Sequence, residues 1–377
     1  MILPQPPFWL IVLAFVLALG PLVFVHEFGH YFVARMLKIP AEAFSIGFGR
    51  ELFGWTDKQG TRWKVAWLPL GGFVKFIGDM SPASNPQDES DIPPHLRDKA
   101  FALRPVWQRF LVVLAGPMAN FLTAILIFAA FFAIFGMPST PNRVARVQPD
   151  GAAASAGIRP GDRILSVAGR STPRFEDIAS VVMLRPGEQV EIEIERRGRR
   201  IPLPVTLKAD TMSDRFGQSY RVGKLGIEVM GLNYSKPSAV ALIPEATAYT
   251  FRLTRGMMDG LWQIISGRRS AKDLGGPIKI AQIAGQQATV GVLDFIQLLA
   301  LFSINLGFIN LLPVPMLDGG HLALYTVEAV RRRPLSARSM EWAFRGGLAL
   351  LLALVVFTTV NDLGSVGLWD RLHRLIG

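Results

Sequence analysis

Four stretches of this sequence carry no charged side chain: residues 1–25, 110–142, 295–317 and 346–361. A helix of about 20 apolar residues crosses a bilayer. Inside the hydrocarbon every backbone N–H and C=O needs an internal partner, so uncharged runs of this length read as helices. A single run could be a buried core helix; four in 377 residues predict a polytopic α-helical membrane protein. The fourth is short and needs its flank, Trp342 and Phe344, to reach across. Composition agrees, with 50% hydrophobic and only 18% charged residues, where a soluble domain carries about 25% charged. There is no Cys. That excludes a disulfide scaffold, a thiolate zinc site, an iron–sulfur cluster and a Cys nucleophile.

Flanking charge sets the expected orientation. The leader 1–7 has no Lys or Arg, unlike the n-region of a secretory signal, so the first run reads as a retained span. Many basic residues follow it, from Arg35 and Lys38 to Arg104 and Arg109. Another group, Arg331, Arg332, Arg333, Arg338 and Arg345, lies between the third and fourth runs. Both loops are expected to be cytoplasmic and both termini outside. The expected organisation is span 1 over 1–37, a cytoplasmic segment 38–104, span 2 over 105–137, an outer domain 141–232, an outer segment 236–290, span 3 over 291–317, span 4 over 340–363 and an outer tail 364–377. The net charge of +11 is spread over loops and reads as a solvated or anionic-lipid-facing surface, with no nucleic-acid partner implied.

Residues 141–232 have another texture. Alternation over Arg163–Val167 and Val190–Ile194 predicts short strands. Pro149-Asp150-Gly151, Pro160-Gly161-Asp162, Pro186-Gly187 and Arg197-Gly198 are turn signals, and Ala152–Ala156 predicts a short helix ended by Gly157. This is a small α+β domain. Over 239–266, apolar residues at helical spacing predict an amphipathic helix, either at the outer interface or packed on the insert.

The chemistry-bearing signal is His26-Glu27-Phe28-Gly29-His30, an H-E-x-x-H motif inside the first apolar run, whose helical pattern continues to about Leu37. Residues four apart share a helix face, so both imidazoles can hold one Zn²⁺ while Glu27 serves as general base. A charge at mid-membrane costs roughly 2.5–3.5 kcal/mol even on the lenient insertion scale. Three ionisable groups in five residues therefore need a compensating partner, and a metal supplies it. A proton relay is the competing reading. A third ligand is required. His95 and His373 fall in a Pro-rich loop and the tail. After the third run, Pro313 and Pro315 should end the helix, and Asp318 follows them, with His321 as a rival.

Together, the H-E-x-x-H motif and Asn310-Leu311-Leu312-Pro313-Val314-Pro315-Met316-Leu317-Asp318-Gly319 resemble the site-2 protease family of intramembrane zinc metalloproteases. Gly157-Ile158-Arg159-Pro160-Gly161-Asp162 with Val167-Ala168-Gly169-Arg170 resembles a circularly permuted bacterial PDZ domain, with its peptide-binding strand near Val222–Val229. One such domain between spans 2 and 3 is similar to the RseP-type branch, in its alphaproteobacterial form. The resemblance implies zinc on His26, His30 and Asp318, Glu27 as the catalytic residue, and Asn310, with Asn305 more weakly, holding substrate backbone. It also covers Gly71-Gly72-Phe73-Val74-Lys75 and Gly116-Pro117-Met118-Ala119-Asn120. The former lies in a segment (about 62–79) expected to be a membrane-associated β-hairpin whose edge strand takes up the substrate. The latter offers small residues for close helix packing.

The expected activity is intramembrane cleavage of single-pass substrates in a bacterial inner membrane, such as anti-sigma-factor-like regulators or remnant signal peptides. The resemblance implies that cleavage follows prior trimming outside, and the PDZ domain is expected to bind the substrate ectodomain or C-terminus. The alternative is a catalytically inactive PDZ-bearing scaffold, which would lack Glu27 or a ligand. A transporter would spread ionisable residues over several spans, and a peptidase of soluble proteins would place the motif outside the bilayer.

Overall fold

The computed structural model describes residues 6–78, 97, 99–139, 141–213, 219–229, 233–267, 270–271, 274–333 and 335–365. Asp79, His95, His373 and the tail from 366 lie outside the described residues. In chain order the elements are α1 (Phe8–Met36), β1 (Ala41–Thr56), β2 (Arg62–Phe76), α2 (Val106–Phe135), β3 (Met137–Ser139), β4 (Val144–Val147), α3 (Ala152–Ser155), β5 (Arg163–Val167), β6 (Arg170–Ser171), α4 (Phe175–Met183), β7 (Gln189–Arg196), β8 (Arg199–Thr206), β9 (Lys208–Ser213), β10 (Ser219–Lys224), β11 (Ile227–Val229), β12 (Asn233–Ser235), α5 (Leu242–Ile265), α6 (Pro277–Val290), α7 (Val292–Asn310), α8 (Asp318–Arg331) and α9 (Ala337–Ser365). The chain forms two compact units. One comprises Leu3–Phe128 and Gly275–Asp362, the other Ala129–Leu274 with the terminal residues.

Among the described residues, four helices are long and apolar enough to cross a membrane: α1, α2, α7 and the Met340–Gly364 part of α9. They expose large apolar side chains such as Leu13, Leu17, Leu122, Leu126, Leu352 and Val356. A helix apolar on all sides is solvated by lipid rather than by water. The chain is thus a membrane protein.

In the first unit α1 packs against α6, α7 and the β1–β2 hairpin. Small residues bring α1 and α6 together, with Ala14, Ala18 and Ala284 sharing a cluster with Leu298. The hairpin is anchored to α1 by aromatic packing. Trp63 stacks on Phe44 at 4.3 Å between centroids, and the Tyr31 ring meets both edge-on. Asp57 closes the turn, accepting hydrogen bonds from Trp63 Nε1 (3.0 Å), the Tyr31 hydroxyl (3.2 Å) and the backbone N–H groups of Gln59 and Thr61. The strand expected within 62–79 is β2. Its partner β1, over 41–56, is not apparent in the sequence, because repeated register shifts interrupt its alternation. Gly47 and Gly49, at φ of +89° and +90°, supply left-handed turns that side-chain-bearing residues adopt at a cost. α7 ends at Asn310 rather than continuing to 317, and the segment 236–290 divides into α5 and α6.

The second unit is built on a four-stranded antiparallel sheet in the order β6-β5-β7-β8. Its inward residues Ile164, Ile192, Ile194 and Val205 pack with Ile178 of α4 and with Leu207 into one core. Three smaller pairs, β4–β11, β9–β10 and β3–β12, complete the unit. Ion pairs bind α5 to it: Arg170 with Asp259, Arg174 with Glu245, and Arg252 with Asp177. On α5, Phe251, Met258 and Trp262 remain exposed.

The Pro160-Gly161-Asp162 turn hides a buried charge. Asp162 is 2% exposed and accepts hydrogen bonds from Arg196 Nε (2.8 Å) and Nη2 (2.7 Å) and from the Arg159 N–H (2.7 Å). Burial pushes its carboxyl pKa up, but Arg196 and the Arg159 N–H outweigh that and hold it below the usual carboxylate value. Its contribution to stability is therefore complete above the unfolded value of about 3.9 and is lost as pH falls through the lower folded value. Asp162→Asn should destabilise this unit at pH 7 by about 2–4 kcal/mol, because Arg196 loses its counter-charge. Thermal melts of the purified protein should show wild type losing more melting temperature than Asp162→Asn on acidification below about pH 4. Parallel acid curves would exclude this role.

Candidate metal centre

α1 presents His26, Glu27 and His30 after a long uncharged stretch, and all three are buried. What receives them is one face of α2. Val112, Gly116 and Asn120 follow one another at four-residue spacing, so they line up along that face. The Val112 carbonyl accepts a hydrogen bond from His30 Nδ1–H at 2.9 Å. That fixes the His30 tautomer and leaves Nε2 with a free lone pair. Two turns along, the Asn120 side-chain amide lies 3.0 Å from His26 Nδ1. Between them, Gly116 makes room, since a Cβ there would fall on the His30 ring. Pro117 follows in the middle of α2 and has no N–H for the carbonyl one turn back, which loosens the helix where it meets His30.

The third donor comes from a distant part of the chain. α7 stops at Asn310, and Pro313 and Pro315 hold the next residues out of a helix. The Leu317 N–H bonds to the Val314 carbonyl at 3.1 Å, and Met316 takes a left-handed φ of 82°. This turn delivers Asp318 as the first residue of α8. His26 Nε2 and His30 Nε2 are 3.3 Å apart, and Asp318 Oδ2 lies 3.0 Å and 3.5 Å from them.

These distances fit zinc. A tetrahedral ion with ligands at about 2.0–2.1 Å keeps neighbouring donors about 3.3 Å apart. Two imidazoles and a carboxylate also leave the fourth position open, as a catalytic site requires. Asp318 Oδ2 is buried and has no hydrogen-bond partner. A bound cation would satisfy it. Of the described residues, His26, His30 and Asp318 form the cluster able to hold a metal. His321 stays outside it. Its ring packs against Phe344 and Tyr325, at 5.1 and 6.2 Å between centroids.

A cavity of about 440 Å³ opens on this cluster. Glu27, Gly71, Gly72, Phe73, Val74 and Asn310 line it. Asn310 Nδ2 lies 3.4 Å from His26 Nε2. β2 runs beside the catalytic candidate, so that a Cβ on Gly72 would lie 2.9 Å from Glu27 Cγ. Lys75 is not part of this lining and pairs with Glu42 across the hairpin at 2.8 Å. Asn305, on α7, is also absent from it. Asn120 and Val112 were missed as site residues in the sequence. The four-residue spacing of Val112, Gly116 and Asn120 is a signal that could have found them, but only once α2 was known to face the motif.

A family profile described as Peptidase family M50 matches residues 14–354. Among similar curated proteins, a provisionally named zinc metalloprotease of Agrobacterium fabrum is 43% identical over 364 residues, 94% of this chain and 96% of the relative. A second provisionally named zinc metalloprotease, of Rhizobium meliloti, is 43% identical over 355 residues, 93% and 95% of the two chains. Metalloprotease MmpA of Caulobacter vibrioides is 37% identical over 382 residues, 94% and 96% of the two chains. The profile match alone spans α1, the hairpin, α2 and the Asp318 turn, and on it the chain belongs to peptidase family M50, the zinc metalloproteases of the site-2 type.

Proposed function

We propose that this metalloprotease cuts peptide bonds inside the transmembrane segment of single-pass proteins, with His26, His30 and Asp318 holding the zinc and Glu27 moving the proton. The observation that carries this reading is the donor triad's place. Two of the three ligands project from α1, a helix apolar enough to span the bilayer. Held by His26, His30 and Asp318, zinc would supply Lewis acidity for a carbonyl and for the activation of water. The chain's own residues do the rest. Glu27 takes a proton from the attacking water at its carboxylate and returns it to the departing amine nitrogen. Asn310, lining the same cavity, donates its amide N–H to the substrate carbonyl. A transmembrane helix has its backbone groups paired and must be extended before it can be cut. The β2 edge at Gly71–Val74 offers backbone groups for that extended strand. Exposed Phe48, Leu52, Phe53 and Trp67 support a hairpin seated in lipid.

The remaining parts of the reading follow from charge and fold. The basic segments between spans 1 and 2 and between spans 3 and 4 favour a bacterial inner-membrane topology with those loops inside and both termini, and residues 141–232, outside. The sheet unit is read as a PDZ domain that binds the ectodomain or new C-terminus of a substrate already trimmed outside, including anti-sigma-factor-like regulators and remnant signal peptides.

The test uses detergent-purified protein with a panel of single-pass substrates bearing short outer stubs. Glu27→Gln should lower the cleavage rate by about 10²–10⁴-fold while zinc stays at one per chain. Mass spectrometry should place the wild-type cut within the transmembrane segment. A cut outside it, or one surviving in Glu27→Gln, would sink the proposal. Gly72→Ala should reduce turnover by about tenfold or more with zinc content unchanged, because the added methyl displaces Glu27 or β2. Unchanged turnover in that variant would show that β2 does not sit against the catalytic carboxylate.

A further inference from the structure

We propose that Asn120 is a positioning residue for the metal centre, its side-chain oxygen accepting a hydrogen bond from His26 Nδ1–H and so committing His26 Nε2 to the zinc. This rests on the assignment of His26, His30 and Asp318 as ligands. Asn120 is fully buried, and its amide is 3.0 Å from His26 Nδ1. The other end of the amide, Oδ1 as placed, is buried without a partner. An amide's oxygen and nitrogen are interchangeable in shape, so chemistry must decide which of them faces the ring.

The chemistry favours oxygen. If the NH₂ faced Nδ1, then Nδ1 would accept, and the neutral ring's proton would sit on Nε2. That proton would point at His30 Nε2 and Asp318 Oδ2, the other two donors of the triad. With oxygen facing Nδ1 the proton stays there, and Nε2 offers its lone pair. Metal-bound imidazoles characteristically donate their second N–H to a carbonyl or carboxylate in this way. His30 supplies the internal precedent, since its Nδ1 faces the Val112 carbonyl, which can only accept. Both rings would then be oriented by acceptors eight residues apart on one face of α2. Asn120 is itself fixed, because its backbone carbonyl accepts a hydrogen bond from the buried Ser303 hydroxyl of α7 at 2.7 Å. α7 thus meets α2 at the turn that holds His26.

The experiment measures zinc affinity by chelator competition, and the visible spectrum of the cobalt-substituted protein, for wild type, His26→Ala, Asn120→Ala, Asn120→Asp and Asn120→Thr. All are the full chain in detergent, and only variants that keep the thermal transition are compared. Asn120→Ala should bind zinc about 10–100-fold more weakly and alter the cobalt spectrum. Asn120→Asp or Asn120→Thr, each keeping an acceptor oxygen, should recover affinity to within about threefold. Wild-type affinity in Asn120→Ala would overturn the proposal. So would equal weakening in all three Asn120 variants, which would mark a packing role only. Zinc retained in His26→Ala would instead overturn the ligand assignment, a separate failure.

Discussion

Two imidazoles and a carboxylate with donor atoms no more than 3.5 Å apart, buried among apolar helices, are the constraint around which the membrane unit is organised. Brought together without a cation, three such groups would leave lone pairs facing one another in a medium too poor in water to solvate them. The surrounding structure holds each donor from behind. Val112 and Asn120 act on the ring nitrogens remote from the cluster, and Gly116 gives the His30 ring the space a side chain would occupy. The Asp318 turn is held by proline geometry and a left-handed Met316. A catalytic zinc needs this rigidity, since its ligands define the open position where water and substrate meet.

The hairpin brings extended backbone to the same cavity. A peptide bond in a helix is shielded by its own hydrogen bonding, and a site buried among helices offers nothing to compete with that unless it includes backbone in an extended conformation. β2 is such backbone. It borders the cavity over Gly71–Val74, and the close approach of Gly72 to Glu27 places that edge beside the Glu27 carboxylate. Non-helical backbone at membrane depth is tolerated where it lines a cavity or is covered by protein. The bulges of β1 and the aromatic anchor of Tyr31, Phe44 and Trp63 keep the hairpin fixed to α1 rather than free to pair elsewhere.

The spans and the His26–His30 pair were legible in the sequence for a simple reason. Both are written in local patterns, as uncharged runs and as ligands four residues apart on one helix. Elements whose cause is tertiary were not legible. β1 carries Gly47, Gly49 and Gly54 and several bulges, so its alternation is lost in one dimension and restored only by pairing with β2. α8 begins at Asp318, immediately after two prolines and a turn, and its hydropathy marks no span. Asn120 looked like one more small polar residue in a packing motif, because its partner His26 is 94 residues away. Asp162 looked like a turn residue, and its ion pair with Arg196 appears only when β7 is placed against β5.

The order of elements along the chain also has a physical logic. The ligands on α1 and the ligand on α8 belong to one unit, yet the sheet unit is inserted between them. A long insertion is tolerable when its ends lie close together, because the host then sees only a short connection. Here β3, which follows α2 after Gly136, pairs with β12 through Met137–Ser235, Pro138–Tyr234 and Ser139–Asn233. The pairing joins the two ends of the 137–235 stretch within the inserted unit, which has a core of its own in Ile164, Ile192 and Ile194. Its folding therefore need not draw on the helices that carry the metal. The residues able to hold the metal thus come from both ends of the chain, with an independently packed unit between them in sequence.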